Sequence, residues 1–130
     1  MTTCYILDDQ YWGKIYGELE KVLPEREFPV KENIYNPLSY LDEIIAKKPE
    51  FILLDNYFPW ETREEALGEE FLEQCLANNI KTNIICISDY GKKLLDRYFS
   101  RDTANQKWLI KGRVNSKDGK QIASLLSKIW

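Results

Sequence analysis

Four short apolar runs of this 130-residue chain each end on a residue able to do chemistry. Cys4–Leu7 runs into Asp8-Asp9, Phe51–Leu54 into Asp55, Ile84–Ile87 into Ser88, and Trp108–Ile110 into Lys111. Carboxylates gathered in one place repel, each pair by roughly 4 kcal/mol at about 4 Å and an effective dielectric of about 20. Three of them need counter-charge. Lys111 offers one positive charge and a divalent cation the rest, and an all-oxygen ligand set selects Mg²⁺ over softer metals. Such a group can hold a phosphoryl group on an aspartate. The metal and Lys111 would neutralise phosphoryl oxygens, the Ser88 hydroxyl would donate to another, and Asp55 would be the nucleophile, since a carboxylate can form an acyl phosphate. Each residue also has a plainer use. Asp8, Asp9 and Ser88-Asp89 can cap helices, Asp55-Asn56 can mark a turn, Lys111 can lie on the surface and Trp108 in the core. One site explains all the strand ends at once.

The elements that would position these residues follow from hydrophobic periodicity. Trp12, Ile15, Tyr16, Leu19, Val22 and Leu23 share one helical face before Pro24. A weaker strand is expected around residues 28–33. Asn36-Pro37 reads as a helix start carrying Leu38, Leu41, Ile44 and Ile45, which stops before Pro49. Thr62-Arg63-Glu64-Glu65 has capping-box spacing and predicts an extra helical turn, and Gly68 opens a helix with Phe71, Leu72, Cys75 and Leu76 inward. Leu94, Leu95, Tyr98 and Phe99 mark a further helix, and Ile122, Leu125, Leu126 and Ile129 the last one. Five βα units predict an α/β fold: a doubly wound, five-stranded parallel sheet of order 2-1-3-4-5, flavodoxin-like, in a three-layer sandwich. Strands one and three are then neighbours, and Asp8, Asp9 and Asp55 converge beyond their carboxyl ends. With no linker or repeat, residues 1–130 are expected to form a single domain.

Composition excludes much else. Hydrophobic residues make up 44% and charged residues 30%, the balance of a globular protein with a true core. Lys plus Arg is 18 against 21 Asp plus Glu, a net charge of −3 with no basic run, so no nucleic-acid partner is expected. The chain has no histidine, which removes His-based triads, His-ligated zinc and any phosphohistidine relay within it. Its 3 cysteines form no C-x-x-C pair and fit a reducing compartment. No signal peptide or membrane segment is read, and the expected location is the cytoplasm.

At the strand ends the sequence resembles the receiver domains of bacterial two-component response regulators. Leu7-Asp8-Asp9 is similar to the family's acidic pair, and Phe51-Ile52-Leu53-Leu54-Asp55 with Pro59 to its phosphoacceptor strand and loop. Ile87-Ser88 resembles the switch Ser/Thr, and Trp108-Leu109-Ile110-Lys111 the aromatic-x-x-Lys of strand five. The resemblance implies that Asp55 accepts a phosphoryl group from a histidine kinase or histidine phosphotransfer protein. It implies Mg²⁺ held by Asp9 and Asp55, by Asp8 largely through water, and by the backbone carbonyl of Tyr57. Ser88 and Lys111 would bind the phosphoryl group, and Trp108 would report the switch. The surface around strand five would meet a downstream protein target, or a second copy in a homodimer. On this reading the chain is a signalling domain of a phosphorelay and no enzyme beyond its own phosphoryl transfer and slow dephosphorylation.

The chain departs from the family pattern at five places. Asp89 follows Ser88 where a very small residue is usual, and Gly112 follows Lys111 where proline is usual. Tyr57 and Tyr90 are bulky where the family tunes dephosphorylation, and the acidic stretch after Pro59 is longer than the usual pattern. Asp89 favours an alternative, a pseudo-receiver interaction module that is not phosphorylated. A flavodoxin-like cofactor binder or a Mg²⁺-dependent phosphohydrolase is a third class. Asp8-Asp9 has the wrong charge for a flavin phosphate, and Asp55-Asn56-Tyr57 lacks a second acid at plus two.

Overall fold

A computed structural model of the chain describes residues 3–55, 58–60, 63–65, 67–80, 82–87, 110–113 and 119–129. Strands β1 (Cys4–Leu7), β2 (Phe51–Leu54), β5 (Asn83–Cys86) and β6 (Ile110–Arg113) form one sheet in the order β1-β2-β5-β6. All three pairings are parallel, with Leu7 level with Leu54 and Leu54 level with Cys86. Every residue of β1 and β2 is buried, as the continuous apolar runs require of a sheet covered on both faces.

The side-chain alternation of the strands divides the core in two. On one face Tyr5, Leu7, Ile52, Leu54 and Ile84 pack against Ile44 of α2 (Leu41–Lys47) and Phe71, Leu72 and Cys75 of α3 (Leu67–Ala77). On the other, Cys4, Ile6, Phe51, Leu53 and Ile85 pack against Ile15 and Leu19 of α1 (Trp12–Val22) and Ile122, Ala123 and Leu126 of α4 (Gly119–Ile129). The fold is the doubly wound three-layer sandwich that the periodicity predicts. Local signals set the helix ends. Asn36 Oδ1 accepts from Leu38 N at 2.9 Å, and Pro37 opens a short 3₁₀ turn, Pro37–Tyr40, that leads into α2. Lys48 ends α2 in the left-handed region at φ 50°, its N–H bonded to Ile44 O. Gly119 opens α4 where a Cβ would lie 2.6 Å from Lys14 O, so α4 enters directly against the α1 backbone.

Three elements differ from expectation. The second strand, expected over residues 28–33, is reduced to one parallel bridge, Thr3–Glu27, on the outer side of β1. Cys4 N donates to Glu27 O at 2.9 Å. In a parallel ladder alternate residues face the neighbour, so the next donor towards β1 would be residue 29. Pro29 has no N–H, and the ladder stops there. Residues 28–34 continue as an irregular strap, with Phe28, Val30 and Ile34 buried. Arg63–Glu65, expected in a helical turn, are instead strand β4, which pairs antiparallel with β3 (Phe58–Trp60) as a hairpin, Phe58 opposite Glu65 and Trp60 opposite Arg63. Phe58 is fully buried in the α2–α3 core and anchors the hairpin, while Pro59 bars a helix interior. The last strand, expected over residues 108–110, runs over Ile110–Arg113 among the described residues. The expected helix around residues 94–99 lies outside them.

Candidate functional site

The chain passes from β1 outward to Glu27, returns across β1 to β2, and continues to β5 and β6. The winding reverses between β1 and β2, and a crevice opens there beyond the carboxyl ends of the strands. Leu7 and Leu54 are the last paired residues of these neighbours, so Asp8 and Asp55 leave the sheet side by side. Asp55 N donates to Leu7 O at 3.0 Å and fixes that level, and Ile87 N donates to Leu54 O at 2.9 Å on the next strand.

The outcome is a compact acidic group. One carboxylate oxygen from each of Asp8, Asp9 and Asp55 lies within 4.8 Å of the others. Asp8 is fully buried, and Asp9 and Asp55 are 9% and 3% exposed. Asp8 also shapes the turn that carries Asp9. Its Oδ1 accepts from Gln10 N at 2.8 Å and Tyr11 N at 2.9 Å, a turn of the kind aspartate favours just ahead of α1. Three buried carboxylates offering only oxygen match a hard divalent cation such as Mg²⁺ and would place soft metals at a disadvantage. The residues fit the ion.

The sequence-predicted residues divide into three sets. Asp8, Asp9 and Asp55 come together as expected. Lys111 lies within β6, not beyond it. Ile110 is level with Ile84, and Gly112 with Ile85, so Lys111 occupies an irregular position between them. At the carboxyl edge the residue level with Cys86 is Arg113. Tyr57, Ser88 and Trp108, with Asp89 and Tyr90, lie outside the described residues. Sequence reasoning missed the strap. Ile34 N donates to Asp8 O at 2.9 Å, Asn33 Oδ1 accepts from Trp12 N at 3.1 Å, and Val30 O accepts from Trp12 Nε1 at 2.9 Å. The only sequence signal was Asn33 itself, a residue type that caps helices, standing far along the chain from the helix it caps.

Ionisation elsewhere in the core is ordinary for buried groups. Burial pushes the thiols of Cys4 and Cys75 up, the latter to about 12. Burial, then the hydrogen bond and charge of Glu43, raises the Tyr5 hydroxyl, which donates to Glu43 Oε2 at 2.7 Å. These cysteines are small apolar residues of the core, not nucleophiles.

No family model and no curated protein matches the chain by sequence. Solved structures do match it, over nearly its whole length. A DNA-binding response regulator of the LuxR family from Staphylococcus aureus superposes with a TM-score of 0.68 at 14% identity, covering 99% of this chain and 98% of that one. The response regulator TrrA from Thermotoga maritima, solved in complex with Mg²⁺ and beryllofluoride, gives 0.61 at 14% identity, with 100% of both chains covered. The receiver domain of a sensor histidine kinase from Pseudomonas aeruginosa, with a magnesium ion coordinated in its active-site cleft, gives 0.61 at 8% identity, over 99% and 96%. The fold of this chain is the CheY-like receiver fold.

Proposed function

We propose that the chain is a phosphoacceptor switch, a response-regulator receiver in which Asp55 receives a phosphoryl group in the presence of Mg²⁺. The observation that carries this reading is the convergence of Asp8, Asp9 and Asp55, buried within 4.8 Å of one another where the sheet reverses its winding. Mg²⁺ would be held by Asp9 and Asp55, by Asp8 through water, and by the backbone carbonyl of Tyr57. When bound it supplies positive charge to the phosphoryl oxygens that the carboxylates would otherwise repel. The Asp55 carboxylate attacks the phosphorus of a phosphohistidine on a kinase or phosphotransfer protein. A P–O bond forms as the P–N bond breaks, and the electron pair leaves with the imidazole nitrogen, which takes up a proton. Ser88 donates to a phosphoryl oxygen and Lys111 pairs with another. Trp108 and the surface around β6 carry the change to a downstream protein or a second copy of the chain, in the cytoplasm. The chain performs no chemistry beyond its own phosphorylation and slow dephosphorylation.

A second reading, an interaction module that is never phosphorylated, is favoured by Asp89, a carboxylate beside Ser88. Thermal unfolding with Mg²⁺, with and without beryllofluoride as a phosphoryl mimic, separates the two. A ligand at about 100 times its Kd stabilises by about 2.7 kcal/mol. Beryllofluoride is expected to raise Tm by several degrees beyond Mg²⁺ alone in the wild type and not in Asp55→Asn. A response to Mg²⁺ with none to beryllofluoride would favour the module.

A further inference from the structure

We propose that Asn33 is a positioning residue for the cation site: together with Ile34 it clamps both ends of the turn that presents Asp9, and so sets the affinity for Mg²⁺. The inference rests on the reading of the acidic group as a Mg²⁺ site. The turn runs from Asp8 to Trp12, and two adjacent strap residues grip it. Ile34 N donates to the backbone oxygen of Asp8 at 2.9 Å, and Asn33 Oδ1 accepts from the backbone N–H of Trp12 at 3.1 Å. Inside the clamp, Asp8 Oδ1 takes the N–H groups of Gln10 and Tyr11. Asp9 is the remaining residue of the turn, and its carboxylate is one of the three in the acidic group.

Each of these contacts answers a local requirement. The first N–H groups of a helix have no partner within it, and α1 has no side-chain acceptor at its own N-cap. Asn33 caps α1 from a distant segment, which ties the start of the helix to the strap. The indole of Trp12 adds a second tie, Nε1 to Val30 O at 2.9 Å, and stacks on Tyr16 with ring centroids 4.9 Å apart. Because Pro29 stops the ladder, the strap is free to bend and reach the turn. The loss of the expected second strand and the support of the acidic pair are one feature.

A ligand carboxylate held in place binds a cation better than one that must first be ordered. Removing the Asn33 acceptor lets the turn open at its helical end, while Asp8 remains fixed by β1 and Asp55 by β2. The test is a Mg²⁺ titration by calorimetry on wild type, Asn33→Ala, Asn33→Asp and Asp55→Asn, with Tm measured in EDTA for each. Asn33→Ala is expected to raise the Kd for Mg²⁺ about tenfold, the low end for loss of a group that orients metal ligands. Asn33→Asp keeps the acceptor and restores wild-type or tighter binding. If Asn33→Ala lowers Tm but binds Mg²⁺ as the wild type does, Asn33 is only a helix cap and the proposal fails. If the wild type gives no Mg²⁺ binding, matching Asp55→Asn, the cation-site reading fails and the inference falls with it.

Discussion

Replacing Asp55 by asparagine should have opposite consequences with and without Mg²⁺. In the absence of the ion Asp55 faces two other buried carboxylates, each with an oxygen within 4.8 Å. At that separation and an effective dielectric of about 20, each pair repels by roughly 3.5 kcal/mol, so the variant sheds about 7 kcal/mol of direct repulsion. Water, local hydrogen bonds and relaxation of the side chains offset most of that, which leaves a net stabilisation of about 1–3 kcal/mol. The isosteric amide keeps the packing, and Asp55 N still bonds Leu7 O. For a domain of this size the gain corresponds to a Tm rise of about 4–10 °C. Saturating Mg²⁺ stabilises the wild type by about 2.7 kcal/mol at 100 times its Kd and the variant by less. The two melting curves, followed by circular dichroism in EDTA and again in Mg²⁺, should therefore converge or cross. A variant that melts at or below the wild type in EDTA would refute the electrostatic argument, because the three carboxylates would then not be in conflict.

Other expectations follow from the core. The Cys4 thiol and Tyr5 hydroxyl are raised by burial, so the unfolded chain, ionising from about pH 8.5 for cysteine and about pH 10 for tyrosine, loses its protons first. Stability is then full below about pH 8.5 and falls above it by about 1.4 kcal/mol per pH unit for each ionising group. Urea midpoints should drop between pH 8 and pH 10.5, less steeply in Cys4→Ala; a flat profile would contradict the burial of both groups. Gly119→Ala puts a methyl 2.6 Å from Lys14 O and 3.0 Å from Glu18 Cγ, so α1 and α4 must part, at a cost of about 1–3 kcal/mol seen as a lower Tm. Leu53→Ala opens a cavity among α1, α4 and the sheet and should cost about 2–5 kcal/mol in urea denaturation.

What could be read from the sequence and what could not differ for physical reasons. Continuous apolar runs ending in acids marked β1 and β2 and placed Asp8, Asp9 and Asp55 correctly, because buried parallel strands leave little freedom in composition. The periodic helices were equally plain: Ile15 and Leu19, or Ile122 and Leu126, are core residues one turn apart. The strap has the pattern of a strand because Phe28 and Val30 alternate as a strand would and are indeed buried, whereas a single missing N–H at Pro29 decides against the ladder. The hairpin has no plain local signature: the capping-box pattern at Thr62 describes only the first turn of a helix, and the pairing of Phe58 with Glu65 is a tertiary matter. Nothing local marks Asn33 as a partner of Trp12, twenty-one positions away. In β6 the apolar run ended at Ile110, but pairing with β5 extends through Arg113 and takes Lys111 into the strand.

The central claim is that Asp55 accepts a phosphoryl group, and an intact-mass spectrum after incubation with acetyl phosphate, with and without Mg²⁺, tests it most directly. The account predicts a mass gain of one HPO₃ that needs Mg²⁺ and is absent from Asp55→Asn. A folded, Mg²⁺-binding protein that gains no mass, or an Asp55→Asn variant that still gains it, would contradict the claim.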